Sequence, residues 1–251
     1  MYNYNKSLAM NKEISAVIMA AGKGDRLKEV TGGFIPKTML EIEGIPVLAR
    51  TIRSLRATGV EDVVAVISED DRYTLPALNK LGIGLRVVRQ NILLWPGTAK
   101  AAEYGLAITP NTPERRIIVL NGDDTSLIRP STFGDLIDRH LERLTDCTVL
   151  IIPEVLPNNP LSRYLGEADR DLASLELKAK YGGVLIARYN WLKHFLPIIQ
   201  TDDGNEFKIT RLFQLAKGKS VINQLILADQ NQGNDFNTPQ DIIQTRKKCL
   251  P

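Results

Sequence analysis

A glycine-rich loop with nearby basic residues is the part of this sequence that first suggests chemistry. The loop follows the apolar run Ile14–Met19, which predicts a buried strand. Its small residues let successive backbone N–H groups point toward one place, and Arg26 and Lys37 bring positive charge to the same neighbourhood. The alternative is an ordinary turn with incidental charges. The predicted phosphate-binding residues are Ala20, Ala21, Gly22, Lys23 and Gly24.

Two well-known glycine motifs do not describe this loop. The dinucleotide-binding fingerprint requires a third glycine three residues after the second, and Leu27 stands there. The P-loop pattern G-x-x-x-x-G-K-[ST] does not occur in the sequence. An NAD-binding oxidoreductase is therefore disfavoured.

A pair of carboxylates follows a strand predicted at residues 117–120. The continuous apolar character of this strand indicates a central position, and Asp123 and Asp124 come just after it. Open α/β sheets bind ligands beyond the carboxyl ends of their parallel strands. The two carboxylates therefore mark a candidate ligand site, and a plain turn containing Asp and Gly is the alternative.

A second helix start offers another binding position. The loop at residues 90–96 leads to Gly97 and Thr98, which open a helix predicted at residues 99–106. Thr98 is in position to cap this helix. The N-terminus of the helix is a potential contact for an anion or a base.

Strand and helix patterns alternate along the chain and position these candidates. Further strands are predicted at residues 63–67, 85–88, 148–152, 172–178, 184–187 and 221–226. Helices are predicted at residues 46–55, 70–81, 131–144, 191–197 and 209–216, with a last helix whose first turn carries Pro239. The alternation indicates an α/β fold with a Rossmann-like, mixed but mainly parallel sheet flanked by helices.

Length and charge limit the other possibilities. We expect one domain over residues 1–251, with a flexible N-terminus at 1–13 and a less regular half at 154–220. The net charge of +3 is small and the basic residues are dispersed, which disfavours nucleic-acid and membrane partners. No run of about 18 apolar residues and no N-terminal apolar segment occurs, so we expect a cytoplasmic protein.

Cysteine and histidine do not suggest chemistry of their own. Cys147 and Cys249 fit reduced thiols, and no CxxC or HExxH spacing occurs. His140 and His194 fall in helical patterns, and we assign them no role.

The order of the motifs resembles one enzyme family, the sugar-1-phosphate nucleotidyltransferases or sugar-nucleotide pyrophosphorylases. The uridyltransferase domain of N-acetylglucosamine-1-phosphate uridyltransferase is one example. The family motifs are A-A-G-x-G-x-R-[LM], P-K, G-x-P, G-T-A, G-D and N-T-P-E-D. The matching stretches here are residues 20–27, 36–37, 44–46, 97–99, 122–123 and 237–241.

The resemblance implies transfer of a nucleoside monophosphate from an NTP to a sugar 1-phosphate, with Mg²⁺ as cofactor and pyrophosphate as the second product. It implies catalytic roles for Arg26, Lys37 and Asp123. It implies nucleotide contacts from Ala20, Ala21, Gly22, Lys23, Gly24, Gln90, Gly97 and Thr98. It implies acceptor contacts, mostly from the half at 154–220, by Gly122, Glu176 and Gly183. It implies metal ligation by Asp123 with Asn237 or Asp235.

Several positions depart from the family pattern. Asp25 stands where many members carry Thr or Ser, and Arg211 replaces an acid. Uridylyl members carry a glutamine shortly before G-T, and Gln90 is the matching residue here, although it lies seven residues before Gly97, farther than is usual. Trp95, just before Pro96 and Gly97, is more similar to adenylyl members. Our expectation for the donor is UTP.

Three alternatives stay open at this point. The acceptor could be a phosphorylated alditol or choline phosphate. The chain could also be a nucleotide-binding regulatory module without catalysis, although Arg26, Lys37 and Asp123 are all present. We expect no acetyltransferase domain of the kind that some relatives carry.

Overall fold

A computed structural model describes residues 13–22, 24–123, 125–143, 145–154, 178–201, 205–227, 232 and 239–243. Within these residues the chain forms a seven-stranded sheet with helices packed on both faces and a separate two-stranded hairpin. This arrangement positions the candidate residues at one edge of the sheet.

The strands alternate with helices as the sequence predicts. They are β1 (Ile14–Met19), β2 (Glu41–Ile42), β3 (Ile45–Pro46), β4 (Asp62–Ser68), β5 (Arg86–Gln90), β6 (Arg116–Asn121), β7 (Cys147–Glu154), β8 (Lys178–Arg188) and β9 (Ile222–Ile226). The helices are α1 (Lys28–Thr31), α2 (Val47–Arg56), α3 (Thr74–Lys80), α4 (Thr98–Ala107), α5 (Pro130–Glu142), α6 (Tyr189–Phe195), α7 (Arg211–Ala216) and α8 (239–243). Short 3₁₀ turns lie at Asp25–Leu27, Lys37–Met39 and Leu196–Ile198.

The main sheet is mixed and mainly parallel, which confirms the predicted fold class. Its strand order is β5-β4-β1-β6-β8-β7-β9. β8 runs antiparallel to both of its neighbours, and the other neighbouring pairs are parallel. β1 and β6 lie side by side near the middle of the sheet, where both faces are covered.

The period-two alternation of β1 supplies a core on each face of the sheet. Val17 belongs to the cluster that includes α4, α6 and α7, and Ile18 belongs to the cluster that includes α2 and α5. Gly105 of α4 lies so close to Val17 that a Cβ atom there would overlap its side chain. The helix that begins at Gly97 is therefore fixed tightly against β1.

Two elements differ from the sequence prediction for local reasons. The helix predicted from residue 70 begins at Thr74. The Asp71 carboxylate accepts the Tyr73 and Thr74 N–H groups at 2.8 and 2.9 Å and so forms a turn before the helix. Thr98 was expected to cap α4, but α4 has no side-chain cap, and the Thr98 hydroxyl accepts a hydrogen bond from another segment.

Gly182 and Gly183 lie inside β8 and form a bulge, so the strand begins earlier than the predicted residue 184. Val149 pairs with Leu185 and Ile151 pairs with Tyr181, so β8 has two more residues than β7 over this stretch. Gly183 adopts a φ of 74°, which suits the bulge because a side chain would be strained there. The predicted strand at 172–178 lies almost entirely outside the described residues.

In the part of the chain that the structure describes, no helix has the length and apolar character that a membrane crossing requires.

His140 of α5 is a buried histidine held by two hydroxyl groups. It is 1% exposed, and its Nδ1 lies 3.1 Å from Thr148 Oγ1 and 3.2 Å from Thr145 Oγ1. Burial, together with the positive charges of Arg116 and Arg188, lowers the pKa of His140 to about 4. His140 therefore stays neutral in the folded protein between about pH 4 and pH 6.5, a range in which the same side chain is protonated in the unfolded chain.

We expect acidification to destabilise the protein through this histidine. The free energy of unfolding should fall as the pH drops from about 6.5 to about 4, by about 3 kcal/mol over the whole window, because only the unfolded state gains the proton. Urea unfolding at a series of pH values measures the effect. His140→Gln should remove this part of the pH dependence, whereas His194→Gln, at an exposed position, should keep it. Equal slopes in wild type and His140→Gln would contradict the assignment.

Candidate active site

A cavity of about 630 Å³ opens at the carboxyl ends of β1 and β6. Parallel pairing explains its position, because Met19 of β1 lies level with Asn121 of β6 and both strands end at the same edge. The cavity brings together sequence-predicted residues from four stretches of the chain. These residues are Ala20, Ala21, Gly22, Gly24, Arg26, Lys37, Gln90, Gly97, Thr98 and Asp123.

Other predicted residues do not line the described part of this cavity. Gly122 packs where β1 and β6 end, since its N–H donates to Met19 O at 2.9 Å. Gly183 lies in the β8 bulge. Their roles in acceptor binding stay predictions. The predicted residues that lie outside the described part of the chain are Lys23, Glu176, Asp235 and Asn237.

The loop after β1 is shaped around the side chain of Lys37. A Cβ atom on Gly22 would lie 3.4 Å from Lys37 Cε, and one on Gly24 would lie 3.4 Å from Lys37 Cβ. Gly24 also has a φ of 64°, which favours glycine. Leu27, at the position where a dinucleotide-binding loop needs glycine, is fully buried and anchors the loop. The lysine stem therefore runs along the glycine backbone.

Lys37 and Asp123 form an ion pair in the cavity wall. Lys37 Nζ donates to Asp123 Oδ2, and the two side chains are 18% and 9% exposed. Charges with so little water around them need a partner, and removing one of them leaves the other uncompensated. The pair places one cation and one carboxylate at the end of β6 without a net charge.

Asp123 suits a divalent cation. Its carboxylate lines the cavity and already accepts an ammonium group, which indicates that the position favours positive charge. Mg²⁺ at phosphate-transfer sites is held by one or two carboxylates together with waters and substrate phosphates. Within the described residues, no cluster of three or more His, Cys, Asp or Glu could hold a metal ion. The Asp123 carboxylate, which lines the cavity, is one ligand of the type that such a site requires.

Thr38 is a buried threonine that lines the same cavity. The residue is 2% exposed and lines the cavity, yet no described group hydrogen-bonds to its Oγ1. Leaving a buried hydroxyl unpaired costs about 1–3 kcal/mol. Sequence reasoning did not identify Thr38, because a threonine after lysine carries no pattern of its own.

The loop at Gly97 is fastened to a segment more than a hundred residues later. Phe207 N–H donates to Pro96 O at 3.1 Å, and Ala99 N–H donates to Phe207 O at 2.7 Å. Ile209 N–H donates to Thr98 Oγ1 at 2.9 Å. We call these contacts between residues 96–99 and 207–209 the clasp. It brings the later segment to the cavity, where Glu206, Lys208 and Thr210 line the wall.

Gln90 supports the loop that precedes the clasp. Its side chain is buried, and its Nε2 donates to Trp95 O at 2.7 Å and to Gly97 O at 3.2 Å. Because both neighbours are carbonyl groups, the amide nitrogen must face them and the amide oxygen must face away. The Gln90 side chain can therefore bind a ligand only through its amide oxygen, as a hydrogen-bond acceptor.

Tyr181 is a second cavity residue that the sequence did not reveal. It lies at the β8 bulge, lines the cavity and packs edge-on against Phe213, with ring centroids 5.8 Å apart. Gly182 and Gly183 were the available signal, since glycines inside a strand pattern often mark a bulge.

Comparisons with known proteins show the family and the fold of this chain. A family model described as MobA-like NTP transferase domain matches residues 16–206. The bifunctional protein GlmU of Sulfurimonas denitrificans is 23% identical over 240 residues, a match that covers 93% of this chain and 53% of that protein. This chain therefore spans about half the length of that relative.

Solved structures share the fold. A nucleotidyl transferase from Methanothermobacter (Mth528) superposes with a TM-score of 0.66 at 19% identity, covering 93% of this chain and 96% of that one. HddC from Yersinia pseudotuberculosis, complexed with GMP-PN, gives a TM-score of 0.63 at 19% identity and covers 94% and 99%.

We expect Gly97→Ala to destabilise the protein strongly. Gly97 has a φ of 101°, and a Cβ atom there would lie 2.5 Å from Phe207 O, so the clasp would have to open. The free energy of unfolding should fall by about 2–4 kcal/mol in urea unfolding. Gly84→Ala, at a position with open space, is the matched control and should change it by less than about 0.5 kcal/mol. Equal effects of the two substitutions would contradict this account.

Proposed function

We propose that this chain, which belongs to the MobA-like NTP transferase family, transfers a nucleoside monophosphate from an NTP to a sugar 1-phosphate and releases pyrophosphate. Nucleotidyl transfer is the activity that the family match supports. The Lys37–Asp123 ion pair beside the glycine loop carries the proposal, because it places a cation and a carboxylate together in the wall of the cavity.

The proposed reaction is an in-line displacement at phosphorus. A phosphate oxygen of the acceptor attacks the α-phosphorus of the NTP and forms a new P–O bond. The bond from the α-phosphorus to the oxygen bridging to the β-phosphate breaks, and pyrophosphate leaves with that electron pair. No general base is needed, because the attacking phosphate is already ionised. The task of the protein is to position the phosphates and to stabilise their charge.

The residues around the cavity suit these tasks. Backbone N–H groups of the glycine loop, with Arg26 and Lys23, hold the β- and γ-phosphates. Lys37 binds the α-phosphate and the entering phosphate. Asp123, with Asn237 or Asp235, would hold Mg²⁺, which would neutralise charge on the phosphate oxygens.

UTP is our proposed donor, and the orientation of Gln90 supports it. Both hydrogens of the Gln90 amide are directed to backbone carbonyls, which leaves its oxygen to accept the N3–H of uracil. Thymine has the same N3–H group. Guanine also has a ring N–H on its pairing edge, whereas adenine and cytosine can donate to this oxygen only from an exocyclic amino group.

We propose that the acceptor substrate binds mostly to residues of the half at 154–220. Glu176, Gly183 and Gly122 are its predicted contacts, and Tyr181 and Lys208 are further residues of that half that line the cavity. A sugar 1-phosphate is the proposed acceptor, and a phosphorylated alditol or choline phosphate is the rival. We propose that the enzyme has no nucleic-acid or membrane partners, since the net charge is only +3. We also propose that it is cytoplasmic.

We expect pyrophosphate release from one donor–acceptor pair. UTP, dTTP, CTP, ATP and GTP should each be tested with Mg²⁺ against sugar 1-phosphates, phosphorylated alditols and choline phosphate. Release with UTP and one sugar 1-phosphate is the expected result. Release with a different base or acceptor would correct the substrate but keep the reaction, and no release from any pair would contradict the proposal.

Lys37→Met and Asp123→Asn should each lower turnover about 10²-fold or more, since each removes a charge that faces the reacting phosphates. Steady-state rates of pyrophosphate release measure the effect, and circular dichroism verifies that each variant is folded. Lys28→Met is the matched control, because this lysine is exposed and forms its salt bridge with Asp25, not with Lys37 or Asp123. Normal turnover in a folded Lys37 or Asp123 variant would remove that residue from the mechanism.

A further inference from the structure

We propose that the Thr38 hydroxyl is a further phosphate ligand of this site, donating a hydrogen bond to a non-bridging phosphate oxygen of a bound substrate. This inference rests on the proposed nucleotidyl transfer and adds a residue to it.

Thr38 is a buried threonine without a hydrogen-bond partner. Only 2% of the residue is exposed, and no described group bonds to its Oγ1. Every other buried threonine of the described chain has a hydrogen-bond partner for its hydroxyl. These residues are Thr31, Thr51, Thr74, Thr109, Thr125, Thr132, Thr145 and Thr148. A buried polar group left unpaired requires an explanation, and a ligand in the cavity supplies one.

Packing does not explain why this side chain carries a hydroxyl. The methyl group of Thr38 lies against Gly122, where a Cβ atom would approach its Cγ2 to 3.0 Å. Valine has the same branched shape and would fill the same space without an unpaired polar atom. The hydroxyl therefore lowers the stability of the empty protein and becomes useful only when an acceptor reaches it.

The surroundings of Thr38 select the chemistry of that acceptor. Thr38 follows Lys37 in the same 3₁₀ turn and lines the cavity together with Lys37, Arg26 and Gly22. The carboxylates of Asp25, Asp123 and Glu206 line the same cavity, so its described charges balance. Near Thr38, Arg26, Lys37 and the loop N–H groups favour an anion with several oxygen atoms. A phosphate oxygen satisfies both the charge of the neighbours and the hydroxyl donor. The phosphate can belong to the triphosphate of the donor or to the acceptor.

The test compares Thr38→Val with Thr38→Ser and with Thr74→Val. Inorganic tripolyphosphate with Mg²⁺ probes the donor phosphates without a base, and inorganic phosphate probes the acceptor phosphate, both by titration calorimetry. Thr38→Val should weaken binding of at least one probe about tenfold, because it loses a hydrogen bond to a charged group. Thr38→Ser should recover most of that loss. Loss with tripolyphosphate assigns the donor, and loss with phosphate assigns the acceptor.

Thermal melting separates a ligand role from a structural one. Thr38→Val should melt at or above the temperature of wild type, since it removes an unpaired hydroxyl. Thr74→Val should melt lower and bind both probes as wild type does, because the Thr74 hydroxyl donates to Asp71 at 2.6 Å. A Thr38→Val protein that melts as low as Thr74→Val, or that binds both probes as wild type does, would overturn the inference.

The outcome distinguishes this inference from the proposed function. If wild type binds neither probe and releases no pyrophosphate, the proposed function fails and the inference fails with it. If wild type turns over and Thr38→Val binds both probes equally well, only the role of Thr38 is lost.

Discussion

The parallel register of β1 and β6 is the constraint on which the site depends. Met19 lies level with Asn121, and the Gly122 N–H bonds to Met19 O where the two strands end. The chain therefore leaves both strands at the same edge, with the glycine loop on one side and Asp123 on the other. A shift of one residue would turn the apolar side chains of β1 to the wrong faces, so the two buried cores hold this register. Lys37 then needs only to reach along the glycine backbone to meet Asp123.

The Lys37–Asp123 pair connects folding with chemistry. Both side chains are poorly exposed, and breaking such a pair by removing one member costs about 3–5 kcal/mol, because the other charge stays buried. The pairing lets the chain bring opposite charges into a cavity before any substrate neutralises them. Thr38 shows the opposite arrangement, a buried polar group that the protein itself leaves unpaired. The site thus combines one group that is satisfied by the fold with one that is not.

The sequence was sufficient for much of the fold and for part of the site. Continuous apolar runs predicted β1, β4 and β6 to within one or two residues, because buried parallel strands have little other pattern. Small residues and charges at strand ends located the glycine loop, Lys37 and Asp123, since chain order and parallel pairing place them at one edge. The clasp could not be predicted, because Thr98 and Ile209 are 111 residues apart and a hydroxyl at a helix start is more simply interpreted as a cap. Thr38 and Tyr181 were missed because their roles come from what surrounds them in space. Predicted ligands outside the described residues, such as Asn237, stay predictions.

The clasp also has a thermodynamic consequence. It joins the loop that carries Gly97 to the segment that carries Lys208 through backbone hydrogen bonds, so neither can move alone without breaking them. A ligand that orders the loop therefore also orders the segment, and the second ligand meets a partner whose conformational entropy is already reduced. Linkage makes such an effect reciprocal in binding free energy, whichever ligand arrives first. Two ligands on opposite sides of the clasp would be coupled in this way without touching each other.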